Sequence, residues 1–373
     1  MSEARWKNIT AALESQILAG ELNPGDRLPS EDDIAVTYGV SRPTAHRALR
    51  ELQAKGLVTR QRRWGTVVAE RSIVKTKRIG FIVDIVDESY GFPQPGLLRG
   101  IQAGLSDEYS LVLCDSQNDP LREAELLWKM SEETDGIVLL PTSARENTPL
   151  LNRIIARGFP LVMLDRVPEG VSAPVALSDN YIITRQAIKA MIDQGHDRVA
   201  FLSFHKPHVS TVQERFKAYE DALIADGLPI AEDRIRFLSA DLEHSPDRRF
   251  GLAVQDAVRS MLVYGDHPAT AIFCVQDMFV PIVLDVCDKV GKSVPEDIAI
   301  ATFNDGPPMI LRKPWAIHRI TPRVFEIGRT AGDVLRRAMS GEGNKPEIHQ
   351  VHADLCPAEG EIIANGRLSA SSQ

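Results

Sequence analysis

Ser41, Arg42, Thr44, His46 and Arg47 fall within seven consecutive residues, and Arg62, Arg63 and Gly65 follow a short way on. These types suit the recognition of a nucleic-acid duplex. Arginine can bind a guanine edge with two parallel hydrogen bonds, while Ser, Thr and backbone amides hold phosphate oxygens. Such chemistry needs a helix to aim it. Ser41 is an N-cap residue, and Pro43 is tolerated in a first turn whose amides are unpaired in any case. Ala45, Ala48, Leu49 and Leu52 have helical spacing and face inward, which turns Pro43, Arg47 and Arg50 outward with Thr44 and His46 on the flanks. Any one of these arginines could equally be a solvated surface charge. The ordered set points to DNA.

The neighbouring residues supply the frame. Ser30 with Asp33 three residues later forms a capping-box pattern, Ile34, Ala35 and Tyr38 give the next helix an apolar side, and Gly39 ends it. Gly56 stops the second helix. Residues 57–59 and 66–68 read as two short strands joined by residues 61–65, so Arg62 and Arg63 sit at a hairpin tip. Trp6, Ile9, Leu13 and Ile17 mark a first helix. A helix that presents its N-terminal turn beside a basic hairpin is a winged helix-turn-helix, built for the major groove.

The segments LPSEDDIA, GVSRPTAHRALRELQAKGLV and RRWGT resemble the DNA-binding domain of the GntR family of bacterial regulators. That resemblance implies DNA contact at Ser41, Arg42, Thr44, His46 and Gly65. Three departures accompany it. Asp32 stands where many members carry a phosphate-binding Arg, His46 replaces a common Arg, and the first wing glycine is absent. An operator unlike that of ordinary members is expected.

Charge is divided along the chain. Residues 1–78 hold 14 Lys and Arg against 9 Asp and Glu, a net of +5, within a 373-residue chain whose net charge is −8. The basic part is the end that would meet DNA. The chain contains no long apolar run and its first residues lack secretory character, so a cytoplasmic location and no membrane partner are expected. Cys114, Cys274, Cys287 and Cys356 are scattered, which favours reduced thiols over a metal site.

Beyond Lys77 the pattern changes to apolar strands alternating with amphipathic helices. RIGFIVDIV, SLVLCD, GIVLLP and PLVMLD form one series, and RVAFLSF, RIRFLSA, TAIFCV and IAIATF a second. Two such series imply two parallel sheets covered by helices, with a cleft at the carboxyl ends of the strands. The fold class is therefore α/β, a winged helix-turn-helix followed by a two-lobed domain. No dinucleotide fingerprint, P-loop, nucleophile elbow or metal-binding helix is present, so neither a cofactor nor catalysis is expected. The expected layout is residues 1–70 for the DNA-binding domain, 71–77 for a linker, 78–356 for the effector-binding and dimerisation domain, and 357–373 for a tail.

KRIGFIV, LLRGIQAGL, TDGIVLLP, PLVMLDR, VALSDN, AIKAMIDQGHDRVAFLS, TAIFCVQD and VPEDIAIATFND resemble the effector domain of the lac repressor family, which shares its fold with periplasmic sugar-binding proteins. With a GntR-type head, the whole is similar to the arabinose-repressor subgroup. The resemblance implies three crossings between lobes. The helix near Glu326–Met339 is expected to return to the first lobe, and the strand near Ile348–Ala353 to the second.

A sugar needs charged hydrogen-bond partners and an aromatic face. Residues just beyond strand ends supply both: Tyr90 and Phe92, then Asp165 with Arg166, then His205. Arg215, Gln276 and Asn304 complete the ring. The resemblance favours Arg166, Arg215, Gln276 and Asn304. Asp179, Asp277 and Asp305 read first as helix or turn caps. Leu140 stands where sugar-binding relatives often place a polar residue. The expected protein is a homodimeric repressor of carbohydrate-use genes, released from operator DNA by a small sugar. A corepressor-type regulator that binds a nucleobase is the alternative.

Overall fold

The computed structural model describes residues 2–19, 22, 25–54, 57–61, 64–68, 76–85, 94–243, 248–264, 267–303, 316–342, 345–358, 362–364 and 367–369. The chain divides into two compact units, Met1–Thr76 and Lys77–Gln373.

The first unit comprises helices α1 (Ser2–Ala19), α2 (Glu31–Tyr38) and α3 (Arg42–Ala54), followed by strands β1 (Val58–Gln61) and β2 (Gly65–Val68). The capping box at α2 is complete: the Asp33 amide donates to Ser30 Oγ at 3.2 Å, and the Ser30 amide donates to Asp33 Oδ2 at 3.1 Å. Gly39 ends α2 in the left-handed region at φ 60°. Ala45, Ala48, Leu49 and Leu52 of α3 are buried against Trp6, Ile9 and Leu13 of α1. β1 and β2 pair antiparallel as the wing.

The second unit begins with β3 (Arg78–Val83), α4 (Pro95–Leu105), β4 (Ser110–Asp115), α5 (Pro120–Glu133), β5 (Gly136–Leu139), α6 (Thr148–Ala156), β6 (Leu161–Leu164) and β7 (Val175–Ser178). It continues with α7 (Asn180–Asp193), β8 (Val199–Phe204), α8 (Ser210–Ala225), β9 (Ile235–Leu238), α9 (Arg248–Arg259), β10 (Ala271–Cys274), α10 (Val280–Lys289), β11 (Ala299–Phe303) and β12 (His318–Thr321). The last elements are α11 (Val324–Arg337), β13 (Ile348–Val351), β14 (Asp354–Cys356), β15 (Ile362–Ala364) and β16 (Arg367–Ser369).

Two sheets result. The first has the order β13-β7-β6-β5-β3-β4 and is parallel throughout. The second has the order β16-β15-β14-β12-β11-β10-β8-β9, parallel from β9 to β12 and antiparallel beyond. Fully buried strands such as Val199–Phe204 carry apolar side chains on both faces, as sheets covered by helices require.

α11 does return to the first lobe and packs along α4. The strand expected to return to the second lobe is a correction. β13 pairs parallel with β7, Ile348 opposite Val175, so it is the edge of the first sheet. The crossing comes after it, and β14 is the first strand to reach the second sheet. The segment expected as a tail contributes β15 and β16 to that sheet.

The three crossings are tied to one another. Asp179, between β7 and α7, makes no cap hydrogen bond to the helix that follows. Its Oδ1 instead accepts the Ala353 amide at 2.9 Å, and its Oδ2 lies 2.8 Å from His352 Nδ1, both on the third crossing. Arg323, on the second crossing, binds Asp354 through Nε at 2.9 Å and Nη2 at 2.5 Å. A rotation of the lobes has to pass through these paired joints.

His318 introduces a pH dependence. It is buried, with Nε2 3.0 Å from Gln194 Oε1 and Nδ1 accepting the Ala358 amide at 3.4 Å. Neutral imidazole satisfies both contacts; a proton on Nδ1 would oppose an N–H. Burial, with His196 nearby, pushes its pKa from 6.5 down to about 4. The unfolded chain therefore takes up this proton first. Its contribution is complete above about pH 6.5 and is lost as pH falls toward 4, up to about 3 kcal/mol. Thermal unfolding should show native protein losing more stability between pH 7.5 and 5 than His318→Gln; equal losses would exclude His318 as the cause.

Candidate functional site

In the first unit, the expected DNA-contact residues Ser41, Arg42, Thr44, His46 and Arg47 share the N-terminal turns of α3. Ser41 Oγ and Thr44 Oγ1 are 2.9 Å apart. The Arg47 guanidinium lies over the Trp6 ring at 4.6 Å, and the residue remains exposed on the surface. Gly65 opens β2 at φ 93° beside the Arg27 guanidinium. Arg63 lies outside the described residues.

The reading of the sequence missed Glu31, whose carboxylate gathers this surface. It lies 2.8 Å from His46 Nδ1, 3.5 Å from Arg42 Nε and in contact with Arg60 Nη2 of the wing. Arg42 also approaches Asp32 at 3.4 Å. The His46 hydrogen bond, with Arg42 and Arg60 adding, holds the Glu31 carboxyl below its ordinary range against some burial. Nothing in the spacing of residues 31, 42, 46 and 60 signals this cluster.

In the second unit, a cavity of about 280 Å³ is lined by both lobes. Arg166, Arg215 and Gln276 line it. Tyr90, Phe92 and Asn304 lie outside the described residues. His205 is not among the residues that line it. The β8–β9 ladder continues one bond past the strand end, from the His205 amide to the Leu238 carbonyl at 2.7 Å, and the exposed ring stands edge-on to Phe237. The next residue, Lys206, faces the cavity instead.

Each cavity cation has acceptors of its own. Arg166 is held by Asp84 through Nη2, by Asp165 at 3.5 Å and by the Pro141 carbonyl at 2.9 Å. Burial opposes its charge, but Asp84 and Asp165 more than offset this and raise its pKa. Lys206 pairs with Glu243, which also accepts Gln276 Nε2 at 2.7 Å. Arg215 is buried; Nε donates to Asn180 Oδ1 at 3.1 Å and Nη1 to the Val275 carbonyl at 3.0 Å, and its guanidinium lies 3.4 Å from the centre of the Phe303 ring. Asp277 lines the cavity from the start of a short 3-10 helix. Leu140, Leu164, Phe204 and Val275 give the remaining wall an apolar character.

The loop carrying Pro141 and Ser143 rests on a buried carboxylate. Glu123 accepts the Thr142 amide at 2.6 Å and Asn147 Nδ2 at 2.8 Å. Burial raises its pKa, although these hydrogen bonds work in the other direction. Glu123, Asp84 and Glu243 carried no sequence signal, because their roles depend on partners distant in the chain.

A winged-helix head followed by a two-lobed cleft domain defines a ligand-sensing transcription regulator. More particularly, the chain joins a GntR-family head to a periplasmic-binding-protein-like domain: residues 6–68 match the model of bacterial regulatory proteins of the gntR family, and residues 188–358 match the periplasmic binding protein-like domain. An arabinose metabolism transcriptional repressor of Geobacillus stearothermophilus is 27% identical over 313 residues, covering 81% of this chain and 82% of the relative. The ribose operon repressor of Bacillus subtilis is 27% identical over 321 residues, covering 81% of this chain and 89% of the relative. Among solved structures, a transcriptional regulator CelR–cellobiose complex superposes with a TM-score of 0.62 at 22% identity, covering 88% of this chain and 98% of that one. At that identity the likeness establishes the fold.

Proposed function

We propose that this protein is a cytoplasmic, homodimeric repressor of carbohydrate-use genes, released from a two-fold operator when an uncharged sugar fills the cleft. The observation that carries the ligand class is the charge pairing inside the cavity. Among the described lining residues, Arg166, Lys206 and Arg215 face Asp84, Asp165, Glu243 and Asp277. A phosphate or carboxylate would meet cations already committed to acceptors, within a lining of no positive excess. Hydroxyl groups can share those same carboxylates and guanidinium groups, donating to one and accepting from the other. The apolar wall then takes the C–H face of the ring.

The relatives point the same way, since two are repressors named for arabinose metabolism and for a ribose operon. They are regulators, and binding rather than turnover is assigned to the cleft. A homodimer follows from operator symmetry, because two recognition helices must meet two half-sites about one turn of DNA apart. Ligand closure shifts the population between two lobe arrangements, with the joints at Asp179, Arg323 and His352 as the pivots. Cleft and head are separable in this scheme. Arg42→Ala should cost at least about tenfold in operator affinity while leaving the sugar-induced rise in melting temperature intact, and unchanged operator affinity would count against the DNA assignment.

A further inference from the structure

We propose that Glu31 is a positioning residue for operator recognition, one carboxylate that sets the directions of Arg42 and His46 on the recognition helix and of Arg60 on the wing. This rests on the reading of the first unit as the DNA-binding head.

Three elements converge on this side chain. Glu31 is the first residue of α2, only 16% of its side chain is exposed, and it touches the start of α3 and the first wing strand. Arg42 uses Nε, the inner nitrogen of its guanidinium, toward Glu31 and Asp32. Its Nη groups make no hydrogen bond among the described residues, so the outer edge of the fork is left for a base or phosphate. Arginine loses much rotamer freedom when it binds, and a side chain already held in place loses less.

For His46 the effect is on chemistry as well as direction. A carboxylate at Nδ1 keeps a proton on that nitrogen, so in the neutral ring Nε2 is the acceptor. An acceptor there reads an exocyclic amine of adenine or cytosine, where an arginine would read guanine. Arg60, reached by the same carboxylate, becomes a further contact on the wing side. Thus Glu31 couples the helix and wing into one surface, and it defines what His46 can recognise.

The sign of a charge-removal experiment separates positioning from plain electrostatics. An acid beside a DNA-binding surface repels phosphates, so its neutralisation should tighten binding to any duplex if it acts only through charge. Positioning predicts the reverse for a specific site. The probes are a duplex selected from a random pool by the native full-length chain, and a shuffled duplex of the same base composition. Glu31→Gln should lose roughly tenfold or more in affinity for the selected duplex, with affinity for the shuffled one unchanged or tighter. Glu31→Asp keeps the charge on a shorter arm and should recover part of the loss. Melting curves of both variants establish that the head is folded.

Equal or tighter binding of Glu31→Gln to the selected duplex would overturn the assignment. A parallel loss on both duplexes would overturn it too, since that is what a damaged head does. A native chain that enriches no sequence from the pool would contradict the DNA reading itself, a result distinct from either of these.

Discussion

Gly104→Ala is expected to lower the melting temperature of the second unit by roughly 10 °C, at about 3 kcal/mol of overpacking. α4 and α11 approach each other through paired glycines. A Cβ at Gly104 would stand 2.2 Å from the Arg329 carbonyl oxygen, and one at Gly100 would stand 2.1 Å from that of Phe325. From the other helix, Gly328 and Gly332 would each meet a backbone oxygen of α4 at 2.4 Å. Backbone cannot rotate away as a side chain can, so the helices must separate. Gln94 and Leu97 at the start of α4, and Val324 and Ile327 of α11, line the cavity, so separation also displaces one of its walls. Gly251→Ala is the matched control: it lies within α9 with nothing within 4 Å of the added methyl. There alanine should be neutral or stabilising by up to about 1 kcal/mol. Calorimetry of both variants reads the difference, and similar melting temperatures would refute the close-packing account.

Arg215→Ala should abolish the ligand response, weakening sugar affinity about a hundredfold, or 2.7 kcal/mol. The structure gives this residue two tasks. It lines the cavity, and it also ties Asn180 and the Val275 carbonyl together over Phe303. Truncation leaves those acceptors without a charged donor, at about 1–3 kcal/mol each where water cannot replace it. A fall in melting temperature is therefore expected alongside the lost response. Arg215→Lys separates the two tasks. Lysine keeps the charge but lacks the planar fork, so it should restore part of the stability and little of the affinity. The reading is the rise in melting temperature with sugar concentration, which a folded-state ligand must produce. An Arg215→Ala protein with a native rise would place the ligand elsewhere.

Local signals in the sequence carried far. The Ser30–Asp33 capping box, the buried spacing of Ala45, Ala48, Leu49 and Leu52, and the apolar strand runs all depend on neighbours a few residues away. Errors arose where the deciding partner is remote. Ile348–Val351 has the alternating exposure of an edge strand, and nothing local says which sheet it borders. Asp179 has the position of a helix cap, yet its partners His352 and Ala353 lie more than 170 residues on. His205 follows a strand end as a cavity residue would, but its ring stands against Phe237 of β9, a partner more than thirty residues away. Glu31 was visible only as part of a motif. Its role depends on the fold bringing Arg60 and His46 to the same carboxylate.

The most direct test of the central claim is operator binding by the full-length chain with and without sugars, followed by fluorescence anisotropy on the selected duplex. The expected result is a two-fold symmetric site whose affinity falls roughly 5- to 150-fold with one uncharged sugar and is unmoved by sugar phosphates at the same concentration. Affinity that no sugar changes, or that a ligand tightens, would contradict a sugar-released repressor.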